Sequence, residues 1–150
     1  MFYREEKLMK ILILSLLTLV SCSSITESKY KKSYHLEDYK TNMEPSVVHA
    51  LLASKMKACY PQSDYPVYEK TISGFDVGSL QGTISYVIDN QSLGPKTLVL
   101  VEIVNDPNAF GSIVKIFAKG DLFRPAGVYK HQIHKWIEGK KVDCDSRGEI

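Results

Sequence analysis

The sequence predicts an α+β domain on three observations: a helical apolar stripe after Pro45, four segments of period-two alternation between about 67 and 119, and a second helical stripe after Pro125. Pro45 suits the first helical position, because its missing N–H would have no intrahelical partner there. Val48, Leu51, Leu52, Met56 and Cys59 then recur at spacings of three and four, and Tyr60-Pro61 stops the helix because a residue before proline avoids the helical region. The alternating segments run from Val67 to Ser73, Gly82 to Asp89, Thr97 to Asn105 and Ser112 to Lys119. Between them lie Gly74-Phe75-Asp76 with Gly78, then Asn90 to Pro95, then Asn105 to Asn108, all turn-forming in composition. Such short connections imply antiparallel neighbours.

The third strand is the most apolar and should be central. Alternation sends Ile84, Tyr86, Ile88, Val99, Val101, Ile103, Val114 and Ile116 toward the helices, and Val87, Leu98, Leu100, Val104, Ile113 and Phe117 to the opposite face. That second face is too apolar for an ordinary wet surface, so Leu98, Leu100 and Phe117 are candidates for a partner-binding surface; alternatively, the segment carrying Tyr30, Tyr34 and Tyr39 folds back over it. In the last helix Tyr129, Ile133, Trp136 and Ile137 form the stripe, Gly139 is placed as a C-cap, and Lys140 and Lys141 suit the negative end of the helix dipole. The expected order is helix, four-stranded antiparallel meander, helix, with both helices on one face of the sheet.

A chain of 150 residues with 44% hydrophobic and 24% charged content builds one core, and excludes a multidomain machine, a disordered tail and a collagen-like fibre. The net charge of +2 is spread along the chain without a basic excess, so no nucleic-acid partner is expected. At the N-terminus, Ile11 to Val20 is an apolar run preceded by Arg4, Lys7 and Lys10. As a helix it would rise about 15 Å, half of a bilayer core of roughly 30 Å, which reads as a signal-peptide core and not a spanning helix. Leu19-Val20-Ser21-Cys22 after it resembles the lipobox of bacterial lipoproteins.

That resemblance implies that the Cys22 thiol is alkylated with diacylglycerol, that residues 1–21 are removed, and that the new amine is acylated. Ser23 after it is similar to the outer-membrane sorting choice of Gram-negative lipoproteins, which implies an anchor on the periplasmic face of the outer membrane. Two or more acyl chains, at about 0.8 kcal/mol per buried CH₂, hold a protein stably on its membrane. A start at Met1 or at Met9 leaves the inference unchanged. The expected organisation is a signal peptide over 1–21, a polar tether over 22–44 and a single domain over 45–150.

Besides Cys22 the chain has two cysteines, Cys59 and Cys144. In an oxidising compartment such a pair usually forms a disulfide; the alternative is two separate thiols, and no C-x-x-C marks a redox pair. Of the four histidines, His35 falls in the tether, His49 on the first helix, and His131 and His134 share a face of the last. No H-E-x-x-H completes a ligand set there and Lys130 and Lys135 would repel a cation, so no metal is expected. No G-x-S-x-G elbow and no glycine-rich phosphate loop is present, and Trp136 reads as core. The expected protein is a non-enzymatic outer-membrane lipoprotein without cofactor, working through an envelope protein partner as an assembly, scaffold or accessory subunit. The alternative is a periplasmic binder of a small apolar ligand, or an inhibitor of an enzyme that attacks the envelope.

Overall fold

The computed structural model describes residues 27–60, 68–90, 94–121, 124–142 and 144, so Cys22 and the apolar run before it lie outside the described residues. The chain divides into two compact units, Met1–Ser33 and Tyr34–Ile150. Helix α1, Glu27–Tyr34, supplies through Ser33 the described part of the first, with Glu27 and Lys31 paired at 2.6 Å one turn apart.

The second unit runs β1 (His35–Thr41), α2 (Pro45–Cys59), β2 (Tyr68–Asp76), β3 (Gln81–Asn90), β4 (Gly94–Asn105), β5 (Ser112–Ala118) and α3 (Ala126–Ile137). The strands form one antiparallel sheet in the order β1-β5-β4-β3-β2. Two expectations are corrected here. The sheet has five strands and not four, and residues 27–41 of the expected tether are a helix followed by a strand, so the domain begins before Pro45. A bulge explains why β1 reads as linker: His35 pairs with Phe117 and Glu37 with Ile116, leaving Leu36 as the extra residue. Its apolar residues that pack on the core, Leu36 and Tyr39, are therefore three apart and break the period of two.

Helix α2 forms as its stripe predicts. Pro45 takes the first position, Val48, Leu52 and Met56 are fully buried, and the Tyr60 N–H closes the last turn on the Met56 carbonyl at 2.8 Å. In α3, Gly139 (φ +70°) donates to Trp136 O at 3.1 Å and Lys140 N–H to Lys135 O at 2.8 Å, the paired bonds of a Schellman cap. Both helices bury their stripes in one cluster with Ile84, Tyr86, Val99, Val101, Ile103, Val114 and Ile116, so they share one face of the sheet.

A second bulge alters that face. Tyr86 pairs with Val99 but Val87 with Thr97, which makes Leu98 the extra residue on β4. At a bulge two consecutive side chains point the same way, and Leu98 joins Val99 in the helix-side core. The assignment of Leu98 to the opposite face is thus corrected. Leu100, Val87 and Phe117 do take that opposite face, but they are 7, 8 and 5% exposed, so its centre is not an open surface in this structure. Glu102 and Lys115 stand opposite one another there, a favourable cross-strand pair.

Candidate functional site

Strand register brings three connections to one end of the sheet. Thr41 pairs with Ser112, Asn105 with Ser112, and Asp76 with Gln81, so the β1–α2, β2–β3 and β4–β5 connections meet there beside the start of α2. Aspartates fix two of these turns. Asp76 accepts from the Gly78 N–H at 2.9 Å and the Ser79 hydroxyl at 2.6 Å, and the Ser79 bond holds its carboxyl below the usual range. Buried Asp106 accepts from the Asn108 N–H at 2.9 Å, which lowers its pKa, and lies 3.2 Å from Lys40 Nζ. Its own N–H donates to Gly111 O at 3.1 Å. Gly111 has φ +134°, and a Cβ on it would stand 2.2 Å from Thr41 O, so only glycine lets the β4–β5 turn approach β1 this closely.

The turns enclose a groove of about 240 Å³ lined by Glu44, Pro45, Ser46, Leu80, Asn105, Phe110 and Gly111. In its lining Leu80 is 43% exposed and Phe110 76%. Leu80 also holds φ +52°, an unusual conformation for a leucine that keeps its side chain in the turn. Aspartate-fixed turns holding apolar tips around a shallow groove make a surface that can take a partner's apolar side chain. Nothing in this group places a nucleophile beside a base.

A second arrangement lies within the core. The Tyr60 hydroxyl donates to Gln132 Oε1, its ring stacks on Tyr86 at 4.7 Å, and Tyr129 and Trp136 meet it edge-on at 5.7 and 6.3 Å. The Arg124 guanidinium covers the Tyr60 ring at 5.1 Å, and Tyr86 donates to Glu69 at 2.8 Å. Burial pushes the Tyr129 hydroxyl up to about 12 and raises Tyr60 and Tyr86 as well, so all three stay neutral donors at ordinary pH. Four large rings and a guanidinium here tie the end of α2 to α3 and β3.

The third arrangement joins β1 to α3. Glu37 lies 2.9 Å from Lys130 Nζ and 3.5 Å from His134 Nε2, and the Tyr39 ring lies 4.5 Å from that of His134. The Lys130 bond holds the Glu37 carboxyl below its ordinary value against the opposing effect of burial. A carboxylate whose pKa is lowered on folding stabilises the folded state fully above its unfolded value, about 4.3, and less as pH falls through the folded value. We expect Glu37→Gln to lower stability near neutral pH and to flatten the acid limb of the stability profile, read by urea unfolding at pH 7 and pH 3. An acid limb identical to that of the wild type would show that Glu37 contributes nothing to it.

The positions singled out from the sequence divide as follows. Cys59 and Cys144 stand at disulfide distance, with Cα atoms 4.9 Å apart. Trp136 is core. His134 contacts Glu37 and Tyr39, His49 lies 5.3 Å from Phe75, and His35 bonds Asp38 at 2.8 Å. Among the described residues no three His, Cys, Asp or Glu side chains gather as a metal-holding group. Leu98, Leu100 and Phe117 do not meet at the loop-end groove; its exposed apolar residues Leu80 and Phe110 were missed, and a phenylalanine inside the turn-rich stretch Asn105 to Gly111 was the available signal. No protein-family model, no curated protein and no solved structure matches this chain.

Proposed function

We propose that this protein is a lipid-anchored component of the Gram-negative outer membrane, facing the periplasm, that works as an assembly, scaffold or accessory subunit by protein contact and not by catalysis. The loop-end groove carries the contact half of this reading: Phe110 stands 76% exposed in one lining with Leu80, on turns held by buried or hydrogen-bonded aspartates. The occupant would be an apolar side chain of an envelope protein. A groove of about 240 Å³ lined in part by Glu44, Ser46 and Asn105 suits one such side chain better than a free apolar ligand, whose pockets typically run from about 300 Å³ upward.

The anchor half rests on Leu19-Val20-Ser21-Cys22. No helix among the described residues is long and apolar enough to cross a membrane. Strand β1 begins beside Phe117 and ends beside Ser112 at the groove, so the groove lies about 20 Å along the sheet from the start of that strand, at roughly 3.3 Å per residue.

Replacing Cys22 by Ala should abolish acylation and release the domain from the membrane; an unmodified Cys22 thiol in membrane-extracted protein, read by mass spectrometry, would refute the anchor. For the contact, a photocrosslinking residue at position 46 should trap a discrete envelope protein in intact cells, whereas one at 57 should not. Phe110→Asp should remove the product while changing stability by less than about 0.5 kcal/mol, because the ring is largely in solvent. An unchanged product in Phe110→Asp, or none from position 46 with Phe110 in place, would refute the groove as the contact.

A further inference from the structure

Four of the five exposed residues of α1, Ser28, Lys29, Lys32 and Ser33, are basic or hydroxylic and fall within one half of the helix circumference. The helix holds three lysines against one acid, and that acid, Glu27, the fifth exposed residue, lies 2.6 Å from Lys31 Nζ. It falls outside the arc of the other four, so no carboxylate of the helix shares that arc with Lys29 and Lys32. Glu27 stands five positions after Cys22, a span of at most about 18 Å when fully extended. Each lysine side chain adds several ångströms of reach, and at physiological salt an anionic surface acts over roughly 8 Å.

We infer that α1 is a second membrane contact, its Lys29 and Lys32 lying on anionic phospholipid headgroups next to the point of anchorage. This rests on the proposed anchor at Cys22. An acyl chain gives attachment without orientation; two ammonium groups on one helical face add an orientation that depends on lipid charge. The face has the wrong character for an apolar protein groove, since its side chains are ammonium and hydroxyl groups. Only weak, additive, salt-sensitive attraction is required, because the anchor already supplies a high local concentration.

The test uses the full chain, extracted from membranes and reconstituted into vesicles, where either the acyl groups or the uncleaved apolar run holds it. Vesicles of phosphatidylcholine are compared with vesicles containing roughly one-third phosphatidylglycerol, and lysines are labelled with an amine-reactive ester and quantified by mass spectrometry. We expect labelling of Lys29 and Lys32 to fall about threefold or more on the anionic vesicles, with Lys57 of α2 unchanged, and to recover in about 0.5 M salt. Equal labelling of Lys29 and Lys32 on both vesicles, or protection that salt leaves intact, would overturn the inference. The mass of the Cys22 peptide from the same sample reports the anchor separately, so an unmodified Cys22 with protected lysines, or the reverse, tells the two ideas apart.

Discussion

Leu98→Asp is expected to unfold the domain. Strict alternation would turn residue 98 away from the helices, where a charge could be tolerated, but the bulge turns it into the cluster formed by α2, α3 and the sheet. Leu98 is 6% exposed there, with Val99 beside it fully buried. An aspartate must either stay ionised among apolar groups or take up a proton, and it also loses the leucine's own burial. The loss should reach about 4 kcal/mol or more, out of a total that for a domain of this size is on the order of 5–15 kcal/mol. Ile72→Asp, at a residue 49% exposed on the edge strand β2, should by comparison shift stability by less than about 1 kcal/mol. Near-UV circular dichroism and urea unfolding read both variants. A cooperatively folded Leu98→Asp protein with wild-type near-UV signal would mean that residue 98 does not lie in the core.

Both long helices, the four-stranded meander and the cap at Gly139 were legible because each rests on local chemistry: a stripe of period 3.6, a turn cluster, a glycine at positive φ. What escaped the sequence depends on register or on distant partners. Strand β1 hid because Leu36 occupies a bulge, so its two packing residues fall three apart and the rest of His35–Thr41 is polar. Leu98 hid for the opposite reason: in the unbroken run from Leu98 to Val101 every residue is apolar, so the sequence carries no phase by which to locate a bulge. The groove gathers Pro45 from the start of α2 with Leu80 and Phe110 from two separate turns. Arg124 and Tyr60 likewise meet only through the fold, the guanidinium 5.1 Å from the ring although the two residues stand 64 positions apart in sequence. Cys59 and Cys144 could be paired beforehand because elimination, not geometry, selected them.

Loss of the link between those two cysteines should have the next largest effect. Cys59 ends α2 on the buried side, 7% exposed, and Cys144 follows α3 by seven positions, so a bond between them ties the last turn of one helix to the segment leaving the other. The sequence separation of 85 makes this a long closed loop. In the chain-entropy account, closing it removes unfolded-state freedom worth about 4 to 5 kcal/mol, and measured losses on removing native disulfides run from about 2 to 5 kcal/mol. For a domain of this size that corresponds to a fall in Tm on the order of 10–20 °C. Reduction and Cys144→Ser should agree with each other, because Cys144 is only half-buried, whereas Cys59→Ser should fall somewhat further by also placing a hydroxyl in the core. The urea m-value should rise in all three, since the unlinked chain exposes more surface when unfolded. Alkylation of the non-reduced, unfolded mature protein should leave Cys59 and Cys144 unlabelled. Quantitative labelling of both, together with a Tm indifferent to reductant, would show that the two thiols stand close without being joined.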